Sequence, residues 1–416
     1  MNVSLLPALS DDHLDATQAV HQRQLAISVS AVPEEVRGRI NHSAPLNLCL
    51  ILDHSGSMAG RPLETVKQAA QNIVERLTPG DRISVVVFDH SAKVLIPNQT
   101  VDDVDDIKAR INRLEPKGGT AIDQGMRLGI EELAEGKQGS ISQVFLLTDG
   151  ENEHGDNRRC LQFAKLAASY NITLNTLGFG THWNQDMLEQ IADAGGGTLS
   201  FIEQPEQAVE AFNRLFNRIE SVGLTNAYLL LTLYPGVRLA ELKPIAQVAP
   251  DTIELPVQRE GDKFVVRIGD LMIDSKRTLL SNLYIDQLLE GTQTIAALQV
   301  RYDDPAQHKA GLLSETIPVE VTVVSTYQPQ LNPEVQQNIL ALAKYRQTQI
   351  AESKLQQGDR VGAATMLQTA AKTAIQMGDE GAATVLQGNA TRLQSGEELS
   401  EVDRKKTRIV SKTILQ

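Results

Sequence analysis

The chain lacks most of the features that mark export, membrane insertion or nucleotide binding. Among 416 residues there are two cysteines, Cys49 and Cys160. So few leave no disulfide framework. Cys49 lies inside an apolar run and reads as a buried free thiol, so a reducing, cytoplasmic setting is expected. Residues 1–18 hold no basic cluster and no uninterrupted apolar stretch, and no run of 18 apolar residues occurs anywhere. Neither a secretory signal nor a membrane span is therefore expected. Positive charge is in deficit: 39 Lys and Arg face 52 Asp and Glu, a net charge of -13. That balance argues against non-specific nucleic-acid binding, favours solubility, and suits cations wherever carboxylates converge. A phosphate-cradling Gly-x-x-x-x-Gly-Lys-Ser/Thr loop is also missing.

The composition is 41% hydrophobic, enough for packed cores, in a chain long enough for two or three domains. Residues 1–22 are mixed and polar and read as a loose start; residues 24–31 alternate with period 2, as a half-buried strand does. Pro33-Glu34-Glu35-Val36-Arg37-Gly38 breaks that pattern. From Leu46 apolar strands alternate with helices of 10–18 residues, which predicts a doubly wound, mostly parallel sheet with helices on both faces. Its last helix opens at Pro205 and runs to about Val222, feeding directly into a strand-rich region. After Gly223 strand-like runs with tight turns predict an antiparallel β-sandwich, which the strand at 24–31 would complete. From Asn332-Pro333 the chain reads as helical, with Gly358-Asp359 and Gly378-Asp379 each stopping one helix and capping the next. Gly362-Ala363-Ala364-Thr365 and Gly381-Ala382-Ala383-Thr384 form a weak repeat, too short for a solenoid and expected to pack on the sandwich. The expected division is 1–43 (a strand for the sandwich), 44–222 (the α/β domain, inserted near the first sandwich strand), 223–328 (the sandwich) and 329–416 (the helical domain).

Three stretches of the α/β domain place hard oxygen donors where such sheets bind ligands, at the carboxyl ends of the strands. Asp53-His54-Ser55-Gly56-Ser57 follows the apolar run from Leu46; Gly118-Gly119-Thr120 precedes a helix; Thr148-Asp149-Gly150 ends another apolar strand. Each alone is an ordinary turn or helix entry. Together they offer three hydroxyls and two carboxylates at one rim.

These three segments, in this order and on these elements, resemble the metal-ion-dependent adhesion site of von Willebrand factor type A domains, over roughly residues 44–222. The layout of type A domain, sandwich and helical tail is similar to multidomain relatives of the inter-alpha-trypsin inhibitor heavy-chain or chloride-channel-accessory sort. The resemblance implies that Asp53, Ser55, Ser57, Thr120 and Asp149 hold a divalent metal, directly or through water. Mg²⁺ suits such a set, since it keeps several waters and needs few carboxylates; Mn²⁺ is the other candidate. The resemblance further implies a non-catalytic receptor whose metal accepts an Asp or Glu from a protein partner.

Other residues are open to two readings. His54 reads as solvent-exposed, or as a partner contact. Glu151, Glu153 and His154 read as a solvated acidic loop, or as a second cation site. Trp183, the only tryptophan, in Thr181-His182-Trp183-Asn184, is either a partner anchor or a cap on the core. Arg404-Lys405-Lys406-Thr407-Arg408 reads as a solvated helix face. Two alternative functions accompany the binding module. One is a metal-dependent hydrolase, which would need His54 or His154 as its base; the other is a chaperone-like subunit working with an ATPase.

Overall fold

A computed structural model describes residues 1–33, 44–137, 139–180, 182–273 and 275–413, so the predicted break at 33–38 lies, past Pro33, outside the described residues. The same holds for Thr181 and for the side chain of Pro205. The chain divides into two compact units. One comprises Met1, Pro33–Asn226 and Tyr302–Leu312; the other comprises Asn2–Val32, Ala227–Arg301 and Leu313–Gln416.

Three strands open the chain: β1 (Asn2–Leu9), β2 (His13–Asp15) and β3 (Val20–Val32). The expected loose start is thus corrected. β1 pairs antiparallel with β3, from Asn2 opposite Val32 to Leu9 opposite Leu25, and buries Leu5 and Leu9. It lies at the edge of its sheet, the position that tolerates Pro7, and that proline masks the alternation in the sequence.

The α/β unit is built from β4 (Leu46–Asp53), α1 (Arg61–Arg76), β5 (Arg82–Phe88), β6 (Ala92–Thr100), α2 (Val104–Asn112), α3 (Ile122–Glu135), β7 (Ile141–Thr148), α4 (Asn157–Ser169), β8 (Ile172–Phe179), α5 (Gln185–Gly195), β9 (Gly196–Ile202) and α6 (Ala208–Glu220). The sheet order is β6-β5-β4-β7-β8-β9, parallel except for β6. All eight residues of β4, β7 and β8 are buried, because helices cover both faces and only near-continuous apolar strands fit between them. α1, α2 and α6 pack together, and α3, α4 and α5 form the other set. Under the second set lies a core of Cys49, Ile51, Phe88, Met126, Leu146, Cys160 and Trp183. β4 sits between β5 and β7, so strand order reverses beside it, and the carboxyl ends of β4 and β7 are where sheets of this kind bind ligands.

The other unit is built mainly from antiparallel sheets. Its strands, some reaching across the unit boundary in sequence, are β10 (Val222–Leu233), β11 (Val237–Leu239), β12 (Ile245–Ala249), β13 (Ile253–Glu254), β14 (Val257–Glu260), β15 (Lys263–Met272), β16 (Arg277–Asp286), β17 (Gly291–Asp304), β18 (Lys309–Leu313) and β19 (Ile317–Val324). One sheet runs β1-β3-β16-β12-β13 with β11 on β16; the other runs β14-β15-β10-β17-β19-β2 with β18 on β17. The early strand β3 does join β16, as its period-2 pattern suggested, while β2 adds one parallel pairing, with β19.

Four helices end the chain: α7 (Pro333–Gln356), α8 (Arg360–Met377), α9 (Glu380–Gln394) and α10 (Glu401–Lys412). The starts of α7, α8 and α9 are set by the side chains that the sequence suggested, and Ser400 caps α10. Asn332 accepts from the Glu334 and Val335 amides, Asp359 from Gly362 and Asp379 from Ala382. α7 lays Val335 and Leu342 on Ala26, Val248 and Leu280 of the first sheet, so the helical segment packs on the sandwich. The small residues of the weak repeat, Ala363, Ala364, Ala382 and Ala383, lie in the α8–α9 core.

Candidate metal centre

Asp53 ends β4 and is fully buried. Its Oδ1 accepts the Ser55 amide at 2.8 Å and its Oδ2 accepts the Thr148 hydroxyl at 2.6 Å. The loop then turns through a short 3-10 segment, Gly56–Met58. That turn brings the Ser55 and Ser57 hydroxyls to 3.0 Å of one another, and Ser57 donates to Asp149 Oδ1 at 2.7 Å. Thr120 arrives from the loop before α3. A methyl placed on Gly150 would lie 3.3 Å from its Oγ1 and 3.9 Å from Ser57 Oγ, so the hydroxyls of Thr120 and Ser57 flank the same glycine. Thus Asp53, Ser55, Ser57, Thr120 and Asp149, spread over 97 positions of sequence, meet at the rim beside β4 and β7.

The loops are tied by backbone as well. Gly56 N–H donates to Gly118 O at 3.0 Å, Lys117 N–H to His54 O at 2.8 Å, and His154 N–H to Thr120 O at 2.9 Å. Gly118 has φ +72, a left-handed turn for which glycine is suited, and Gly119 lets the His154 and His90 rings lie against the backbone.

The electrostatics are those of a site short of positive charge. Burial pushes the Asp53 carboxyl up to about 6, and the neighbouring Asp149 charge acts in the same direction. Burial also raises Asp149, against the hydrogen bond from Ser57 and the weak attraction of His182. A buried carboxylate beside a half-buried one, with neutral hydroxyls between them, costs free energy that a cation would offset. All five donors are hard oxygens, and none is soft or aromatic, so the set fits an oxygen-seeking divalent ion.

Two residues and one segment that the sequence placed differently, or left open, are settled by their surroundings. His54 is buried, not solvent-exposed. Its Nδ1 lies 3.0 Å from the Glu115 carbonyl oxygen and its Nε2 3.8 Å from Asp89, and burial lowers its pKa. It therefore ties the Asp53 loop to two others and is withdrawn from the surface where a base would act. Trp183 belongs to the core: it is 2% exposed, lies against Gly178, stacks at a tilt on Phe201, and donates Nε1–H to Gly180 O at 2.9 Å. The basic tail segment in α10 is only partly a solvated face. Lys405 and Thr407 are buried and Arg408 pairs with Glu352 at 2.9 Å.

Glu151, Glu153 and His154 are exposed. Among the described residues the only grouping of three acidic, histidine or cysteine ligand atoms is elsewhere, at Asp11, Asp12 and His13. There Asp11 is already occupied, accepting from Tyr327 at 2.7 Å and from the His13 and Gln330 amides, so it is a structural hub. Two supporting residues were not singled out from the sequence. Thr148 holds the second oxygen of Asp53, and Asn152, buried, accepts the Ile122 amide at the start of α3 at 2.7 Å. Thr148 had a signal, standing beside Asp149 at the strand end; Asn152 had none.

This fold, with these oxygens at this rim, defines a class: the von Willebrand factor type A domain, whose family model matches residues 47–214. A second model, described as the Sll0103-like C-terminal alpha-helical domain, matches residues 333–416. The protein sll0103 of Synechocystis is 58% identical over 416 residues, across 100% of this chain and 98% of its own length. The chain belongs to this Sll0103-like family of von Willebrand factor type A proteins. The human inter-alpha-trypsin inhibitor heavy chain H4 is 28% identical over 192 residues, 44% of this chain and 21% of that protein. Among solved structures, a von Willebrand factor type A protein from Catenulispora acidiphila shares the fold with a TM-score of 0.82 at 18% identity, over 99% of this chain and 97% of the other.

Proposed function

We propose that the chain is a divalent-metal-dependent protein-interaction module. Asp53, Ser55, Ser57, Thr120 and Asp149 hold Mg²⁺ or Mn²⁺, directly or through water, and the metal accepts an Asp or Glu carboxylate of a protein partner. The observation that carries this reading is the convergence of five oxygen donors in which two carboxylates, both raised in pKa by burial, have only neutral hydroxyls beside them. A site of few carboxylates and several hydroxyls leaves the bound ion electrophilic, which suits capture of an anionic side chain. Membership of the type A class supports the interaction role; of the two candidate bases of a hydrolase, His54 is withdrawn from the rim and His154 is exposed.

The test is a pull-down from lysate run in parallel with Mg²⁺, with chelator, and with the Asp53→Ala and Thr120→Ala variants in Mg²⁺. A protein retained by the parent chain in Mg²⁺ and lost in the other three arms supports the reading. Equal retention in all four arms overturns it.

A further inference from the structure

The rim carries a patch of positive charge that the net charge of -13 conceals. His90, Lys93 and Lys117 are all exposed, on the β5–β6 turn, at the start of β6 and on the loop leading to Thr120. They stand on segments that pack against the Asp53–Ser57 loop. The Lys117 amide donates to the His54 carbonyl at 2.8 Å, one residue from Asp53. His90 Nδ1 accepts the Gly119 amide at 3.2 Å, which leaves Nε2 as the donor of that ring. Its ring meets that of His154 edge-on, with centroids 4.5 Å apart. The fields of Lys93 and Lys117 reach His54, and those of Lys117 and His90 reach Asp89.

The Asp89 carboxylate, which accepts the Ser91 amide at 3.0 Å, offsets this patch only in part: among the described residues neither Lys93 nor Lys117 forms an ion pair within 4 Å. The loop after Asp149, in contrast, carries exposed Glu151 and Glu153. The rim is therefore polarised, basic beside Gly118–Thr120 and acidic along the loop after β7.

We propose that the partner is a protein segment with clustered acids: one carboxylate for the metal, and at least one adjacent carboxylate for the Lys93, Lys117 and His90 patch. This rests on the metal reading above and adds the composition of the partner to it. Exposed charges of this kind contribute little to affinity one at a time, but they steer encounter, select among ligands and fade with salt.

The experiment uses the full chain and three fluorescent peptides in fluorescence anisotropy: Gly-Ser-Gly-Asp-Gly-Ser-Gly, Gly-Glu-Glu-Asp-Gly-Ser-Gly and Gly-Ser-Gly-Asp-Glu-Glu-Gly. In Mg²⁺ at low salt, at least one acid-flanked peptide is expected to bind about fivefold more tightly than the single-acid peptide. That advantage should vanish at high salt and in the Lys93→Gln, Lys117→Gln double variant, while binding of the single-acid peptide stays unchanged. Mg²⁺-dependent binding without any preference among peptides, or a preference that survives the double variant, overturns this inference and leaves the metal reading standing. Absence of Mg²⁺-dependent binding by every peptide overturns both.

Discussion

At the scale of the residue, Asp53 sets the behaviour of the rim. Its ordinary pKa of 3.8 is pushed up to about 6 by burial, so the folded, metal-free chain holds that proton to higher pH than the unfolded chain does. Ionisation then costs stability: the penalty is absent below the unfolded value and complete once pH has risen through about 6. The gap between the two values corresponds to about 3 kcal/mol. In chelator, Asp53→Asn should therefore be more stable than the parent by up to that amount at pH 7.5, and urea midpoints should show the difference closing towards pH 4. Adding Mg²⁺ at pH 7.5 should stabilise the parent and leave the variant unmoved. Mg²⁺ affinity of the parent should fall as pH drops through about 6, because the ion must displace a proton. His54 acts at one remove, holding the Glu115 carbonyl and facing Asp89. His54→Ala should weaken Mg²⁺ binding by about tenfold in a calorimetric titration. The carboxylates and hydroxyls of the site were legible because each stands at the end of a strand or the entry to a helix. The burial of His54 was not, because its partners come from positions 35 and 61 residues further along, and no local pattern reports a long-range contact.

At the scale of the element, the helical segment is held by a polar bolt. Lys344 in α7 is 1% exposed and donates to Asp379 Oδ2 at 2.8 Å, while Asp379 Oδ1 caps α9 through the Ala382 amide. Removing one partner strands a buried charge. Lys344→Ala should cost about 3–5 kcal/mol in denaturant unfolding, whereas Lys344→Met combined with Asp379→Asn should recover most of it, since Asn also caps helices. The caps of α7, α8 and α9 were readable from Asn332, Asp359 and Asp379 because capping is local. The pairing of Lys344 with one of those caps was not, because it joins residues 35 apart. β1 shows the same limit in strand form: Pro7 interrupts the pattern, and only its edge position opposite β3 makes the proline tolerable. Trp183 was open between anchor and core, and the deciding feature is a glycine. Gly178 in β8 leaves the space that the indole fills, a methyl there falling 2.3 Å from the ring. Gly178→Ala should destabilise by about 1–3 kcal/mol and shift Trp183 emission to the red.

At the scale of the whole molecule, the single tryptophan lies in the same unit as the rim, so its fluorescence follows that unit alone. Metal that binds only the folded site should raise the unfolding free energy read from the Trp183 transition, by about 2.7 kcal/mol at a hundredfold excess over Kd, and chelator should reverse it. The two units are also not contiguous runs of chain. Tyr302–Leu312 belongs to the α/β unit, where Asp303 accepts from Asn171 at 3.3 Å and Asn226 at 2.9 Å, both asparagines being left-handed at φ 55 and 54. A shortened gene covering 44–222 would omit Asn226 and Asp303 together, leaving Asn171 to strain against solvent. Anyone dissecting this protein should graft the 302–312 segment back, or expect a fragment less stable for reasons unrelated to the proposed metal site.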